Sequence, residues 1–68
     1  MKIYAKEFWS VKEEDGYIKV YRGDEVICAG VLGEEKRLHN LEFMRDDYQK
    51  NNRTRQKAMK VLQEQGYK

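Results

Sequence analysis

The sequence predicts an α+β domain: a three-stranded antiparallel β-meander packed on an α-helix, followed by a second helical segment at the carboxy terminus. Three observations predict it. Two turn signals, Asp15-Gly16 and Gly23-Asp24, divide residues 8–32 into runs of strand length. Within those runs aliphatic residues alternate with polar and aromatic ones at a period of two. Beyond residue 34 the spacing changes, and Leu38, Leu41, Met44 and Tyr48 recur every three or four residues, as on one stripe of a helix.

The whole chain, 1–68, is expected to be one small domain, with the sheet over about 2–32 and the helical part over about 34–65. A chain this short buries only about 60% of its unfolded surface, so the core is small and a deep, fully walled pocket is not expected.

The first two turns fix a register. Asp15 and Gly16 as a two-residue loop set Glu14 opposite Tyr17, Lys12 opposite Lys19, Val11 opposite Val20 and Ser10 opposite Tyr21. Gly23 and Asp24 as the second loop set Arg22 opposite Glu25, Tyr21 opposite Val26, Val20 opposite Ile27 and Ile18 opposite Ala29. Opposed residues share a face. One face then collects Trp9, Val11, Ile18, Val20, Ile27, Ala29 and Val31. The other collects Phe8, Ser10, Lys12, Tyr17, Lys19, Tyr21, Val26 and Cys28.

Gly30 and Gly33 punctuate the end of the third strand. A helix is expected next. It starts either at Glu34 and Glu35, whose charge suits the positive end of the helix dipole, or at Asn40, a good cap. Asn51-Asn52 either interrupts this helix or is passed through by one long helix. The second segment, about Arg53 to Gln65, carries Ala58, Val61 and Leu62 on one side, with Gly66 placed to end it.

Nothing in the chain assembles an enzyme's chemistry, and no cofactor or metal is expected. His39 and Cys28 are the only histidine and cysteine, too few for a four-ligand zinc site. Cys28, between Ile27 and Ala29, reads as a small buried apolar residue. Asp46 and Asp47 are adjacent, and neighbours on a helix do not face one point. Gly30-Val31-Leu32-Gly33 lacks the lysine of a phosphate-binding loop, and Arg22-Gly23-Asp24 is explained by a tight turn. One cysteine, no long apolar run and no apolar leader together suggest a cytoplasmic protein without a membrane span.

Binding is the remaining class. Net charge is only +2, but residues 1–36 hold six basic against eight acidic residues while residues 37–68 hold eight against four. Five basic residues and no acid lie between Lys50 and Lys60, an electrostatic footprint for an anionic partner or simply a solvated helix face. On the second sheet face, Lys12, Tyr17, Lys19 and Tyr21 form an aromatic and basic patch, with Arg22 near the turn. Such a surface could reach phosphates and base edges. Arg53, Arg55 and Lys57 add a possible phosphate-tracking edge. The competing expectation is that the carboxy-terminal helix or a second subunit covers the tyrosines.

The stretch "DGYIKVYRGDEVICAGVLGEEKRL" resembles the amino-terminal arm-binding domains of tyrosine-recombinase integrases, and is similar to the related Apetala-type DNA-binding domains. The resemblance rests on Gly16, Tyr17, the strand 18–22, Gly30, Leu32, the acids Glu34 and Glu35, and Leu38, and spans about residues 7–50. It implies a three-stranded sheet laid in the DNA major groove with a helix behind it, and a phage or mobile-element origin. It would assign DNA contacts to Lys12, Tyr17, Lys19, Tyr21 and Arg22. Acidic turns at Glu13, Glu14, Asp15, Asp24 and Glu25 depart from the basic sheets of that family. Two functions are therefore expected from the sequence: binding of double-stranded DNA, or, as the alternative, a protein–protein interaction module or small inhibitor. Its oligomeric state is open.

Overall fold

Asp15 and Gly16 have φ of 51° and 81°, the double positive φ of a type I′ turn. That turn twists with its strands and closes the first hairpin. In the computed structural model, which describes residues 8–68, β1 (Trp9–Glu14) pairs with β2 (Tyr17–Arg22) in the expected register, Val11 opposite Val20 and Lys12 opposite Lys19. Gly23, with φ 65°, turns the chain into β3 (Glu25–Leu32). The portion of the expected sheet at residues 2–7 lies outside the described residues.

The second hairpin departs from the expected register after two pairs. Arg22 opposes Glu25 and Tyr21 opposes Val26, but Val20 then opposes Cys28. Ile27 is the extra residue of a β-bulge. The bulge resets the alternation of β3, so Cys28 joins Ile18 and Val20 in the core while Ala29 and Val31 move to the other face. The assignment of Cys28 to the tyrosine face, and of Ala29 and Val31 to the aliphatic face, is thereby overturned. Burial of Cys28 as a small apolar residue agrees with the sequence reading.

The larger correction concerns residues 38–43. They form a fourth strand, β4 (Leu38–Phe43), rather than the first turns of a helix, and the sheet order is β1-β2-β3-β4. Asn40 does not cap a helix; it has φ of 52° and bulges β4, so that Val31 opposes His39 while Ala29 opposes Glu42. A bulge adds one residue to a strand and converts an i, i+2 apolar spacing to i, i+3. Leu38 and Leu41 therefore imitate helical spacing while both pack against the core from a strand. Gly30 sits inside β3 facing this bulge, not at the strand's end. A Cβ there would lie 3.2 Å from Leu41 Cδ1 and 3.3 Å from the His39 carbonyl oxygen. Glu34–Lys36 make one 3₁₀ turn with Glu35 and Lys36 at positive φ, not a helix start.

The helices follow the sheet. Arg45 holds Asp47 with two hydrogen bonds of 3.0 and 2.9 Å at the start of α1 (Asp46–Lys50), which buries Tyr48. Asn51 does interrupt the helix. Its side chain accepts from the Thr54 N–H at 3.1 Å and caps α2 (Asn52–Glu64). Tyr67 N–H bonds the Leu62 carbonyl and Gly66 N–H the Gln63 carbonyl, with Gly66 at φ 92°; this is a Schellman ending.

One face of α2 packs Ala58 and Leu62 onto Ile18, Val20 and Cys28, all fully or nearly fully buried. Trp9, Val11, Leu32, Phe43 and Tyr67 surround them. Each buried aliphatic side chain here contributes about 1.5–3 kcal/mol. The fold is thus two layers, sheet and helices, with α2 on the Ile18/Val20 side.

Candidate binding surfaces

Because Ile18 and Val20 point at α2, Tyr17, Lys19 and Tyr21 point away from it. No described element packs over their face. The expectation that the carboxy-terminal helix covers the tyrosines through Ala58, Val61 and Leu62 is not met, since Ala58 and Leu62 pack on Ile18, Val20 and Cys28, on the opposite side.

Three rows of cross-strand neighbours make up the open face. Ser10, Tyr21 and Val26 form the row nearest the Gly23 turn. Lys12, Lys19, Ala29 and Glu42 form the middle row, and Glu14, Tyr17, Val31 and His39 the far row. Tyr17 is 52% exposed, too much for a core aromatic. Lys12 lies over the Tyr21 ring at 5.7 Å, and Lys19 is 3.9 Å from Glu14. Ser10, Lys12, Tyr21, Gly23 and Asp24 line a shallow depression of about 210 Å³.

Arg22 is not on this face. It opposes Trp9, on the helix side, with its guanidinium 5.9 Å from the Trp9 ring and 5.4 Å from the Tyr48 ring. It also pairs with Glu25 at 3.7 Å. Its assignment to the outward positions is corrected: alternation from Val20 carries residue 22 inward, and Tyr48, distant in sequence, supplies part of its setting. Tyr48 donates its hydroxyl to Glu25, and this bond first, then burial, raises the phenol's pKa above the ordinary value. Arg45 stacks on the same ring at 5.0 Å. The contact of Tyr48 with Arg22 has no sign in the sequence, because only the fold joins α1 to the second hairpin.

The basic residues near the carboxy terminus divide. Arg53, Lys57 and Lys60 are exposed at four- and three-residue spacing, so they share one stripe on the solvent side of α2. Arg55 instead bonds the Gln49 carbonyl at 3.3 Å and Asn52 Oδ1 at 3.1 Å, bracing the α1–α2 junction. The stripe and the tyrosine face lie on opposite sides of the two-layer domain. The sequence-derived set is therefore two surfaces, not one: Lys12, Tyr17, Lys19 and Tyr21 on the sheet, and Arg53 and Lys57 on α2.

Cys28 is fully buried, and burial pushes its thiol up to about 11. Among the described residues no group of three or more His, Cys, Asp or Glu could hold a metal ion, and no helix is long and apolar enough to cross a membrane. Comparison with protein-family models, curated proteins and solved structures finds no match to this chain.

Proposed function

We propose that this chain is a non-enzymatic binding protein whose recognition surface is the open sheet face, and that double-stranded DNA is its partner. One observation carries the reading. Lys12 and Lys19 stand directly opposite each other across β1 and β2, flanked by Tyr17 and Tyr21, on a face that no described element covers. Like charges opposed across strands are destabilising, and the tyrosines are larger than a solvated face requires. An anionic partner offsets the first cost and uses the second feature. The sheet would lie in a groove, with Lys12 and Lys19 on phosphates and the tyrosine rings on sugars or base edges. The resemblance to integrase arm-binding domains implies a sheet in the groove with a helix behind it that starts at Glu34 and Glu35; here residues 38–43 are a fourth strand, and the helix behind the sheet is α2, outside the stretch that carries the resemblance.

A protein partner is the second reading. Glu42 shares the row of the two lysines and Glu14, in the next row, pairs with Lys19, so the face has little net charge, and Tyr17 and Val31 expose apolar area. A salt titration separates the two. Under the DNA reading, affinity for a duplex falls steeply with salt, and Lys12→Ala with Lys19→Ala reduces the slope by about two ions. A protein whose affinity for duplex DNA is undetectable at low salt would remove the DNA reading and leave the protein one.

A further inference from the structure

We propose that the stripe of Arg53, Lys57 and Lys60 on α2 is a second polyanion surface, and that it holds the phosphate backbone of a second DNA duplex while the open sheet face holds the first. The domain is then a bridge between two DNA segments. The proposal rests on the reading of the sheet face given above and adds an oppositely directed site to it.

The cations of the fold divide into engaged and unengaged. Lys19 pairs with Glu14, Arg22 with Glu25 and Arg45 with Asp47. Lys12 lies over the Tyr21 ring, Lys36 donates to the Gln65 carbonyl, and Arg55 braces the α1–α2 junction. Arg53, Lys57 and Lys60 are exposed. Among the described residues none of these three side chains takes part in an ion pair or a hydrogen bond. From Tyr48 to Gln63 no acid interrupts the run.

The charges of α2 also run against its dipole. Arg53 stands in the first turn, where the positive end of the helix repels a cation, and Glu64 in the last, where the negative end repels an anion. Glu64 lies one turn beyond Lys60 and closes the stripe, yet the two form no ion pair. Folding is not served by this order of charges, whereas an anionic partner is. Ala58 and Leu62 pack on Ile18, Val20 and Cys28, so at about 3.6 residues per turn Arg53, Lys57 and Lys60 fall on the far side of α2. They spread over about 10 Å of the helix axis, a length over which a duplex presents about six phosphate charges. Gln56 and Gln63 line the same shallow surface and add hydrogen-bond donors.

A regular line of phosphates is the anion that matches a line of cations. An anionic membrane would require an apolar helix face beside the basic one, and Ala58 and Leu62 of that face are already buried on the sheet. A second duplex also introduces no new class of partner. Because the two surfaces face opposite ways, a short, straight duplex on the sheet cannot reach α2 as well, and DNA is too stiff to wrap the domain cheaply.

The test is a capture assay at low salt with the full chain. A short biotinylated duplex is fixed on beads, and a fluorescent duplex of the same length is supplied with the protein. Protein retained on the beads reports the first contact, and captured fluorescence reports the second. The parent should give both. Arg53→Ala, Lys57→Ala and Lys60→Ala together should leave retention intact and lower capture about tenfold or more. Alanine is the best helix former and the three positions are exposed, so the variant should melt like the parent. Arg53→Lys, Lys57→Arg and Lys60→Arg together should restore capture, because phosphate contacts require charge and carry no sequence information. Retention without capture by the parent overturns the bridge and leaves the sheet reading standing; no retention removes both. Capture undiminished in the alanine variant, or retention lost along with it, also overturns the proposal. So does a parent dimer in sedimentation without DNA that the alanine variant dissolves, which would set the stripe against the acidic turns of a second copy.

Discussion

Tyr48, in the short helix α1, donates its phenolic hydrogen to the carboxylate of Glu25 at the start of β3. This contact ties α1 to the second hairpin and closes the ring of groups around Arg22. The phenol is held protonated, first by that bond and then by burial. A tyrosine whose folded pKa is raised adds stability that is complete below its ordinary pKa of about 10 and is lost as pH climbs through the folded value.

Tyr48→Phe keeps the ring under Arg22 and Arg45 but removes the donor. The variant should melt lower than the parent at pH 7, and its stability should fall less steeply above pH ~10. Thermal melts across that range read both effects. An identical alkaline slope in the two proteins would mean that the Glu25 bond does not hold the proton.

Cys28 should be chemically silent in the folded chain. It is fully buried and its thiol is pushed up to about 11, so thiolate is scarce at neutral pH. A thiol reagent at pH ~8 should label it only as fast as the domain unfolds, with the rate rising through the urea transition. Cys28→Ala should cost on the order of 1 kcal/mol through lost packing and leave binding intact. Rapid labelling under native conditions would contradict the placement of Cys28 in the core.

Asn40 carries the bulge of β4 at a φ of 52°. Asn40→Gly should be tolerated within a few tenths of a kcal/mol, whereas Asn40→Val should cost roughly 1–2 kcal/mol, because a β-branched side chain resists the left-handed region. Urea unfolding measures the pair. Equal stability of the valine variant would show that β4 can run without the bulge.

The two basic surfaces make separate predictions. If DNA lies on the open sheet face, Tyr21→Ser should weaken binding while the melting temperature stays close to that of the parent, since Tyr21 points away from the core. Arg53→Ala with Lys57→Ala should then leave the salt slope unchanged, because the α2 stripe faces the other way. The reverse outcome, a slope lowered only by the α2 changes, moves the phosphate contacts to the helix.

The parts legible in the sequence are those written in local chemistry. Asp15-Gly16 set the first register correctly, and with it the outward places of Lys12, Tyr17, Lys19 and Tyr21. Asn51 and Gly66 marked both ends of α2, where a side-chain cap and a Schellman ending are found. The illegible parts are the two bulges. Ile27 gives no compositional sign that it is an extra residue, so simple alternation places Cys28 on the wrong face. Asn40 made a strand imitate helical spacing. The inward side of Arg22 is legible, since alternation from Val20 and the first register set it opposite Trp9; only its contact with Tyr48 depends on the tertiary fold.

The sequential strand order has a kinetic consequence. Every strand of the sheet pairs with its neighbour in the chain, so most of the sheet is assembled by short loop closures and its relative contact order is low for a β-structure. The first hairpin, with its tight Asp15-Gly16 turn, is the cheapest place to begin. Docking of α2 on β1 spans the longest stretch of chain and comes late. With no proline among the 68 residues, no prolyl isomerisation delays the end of the process, and refolding should complete in a single fast phase.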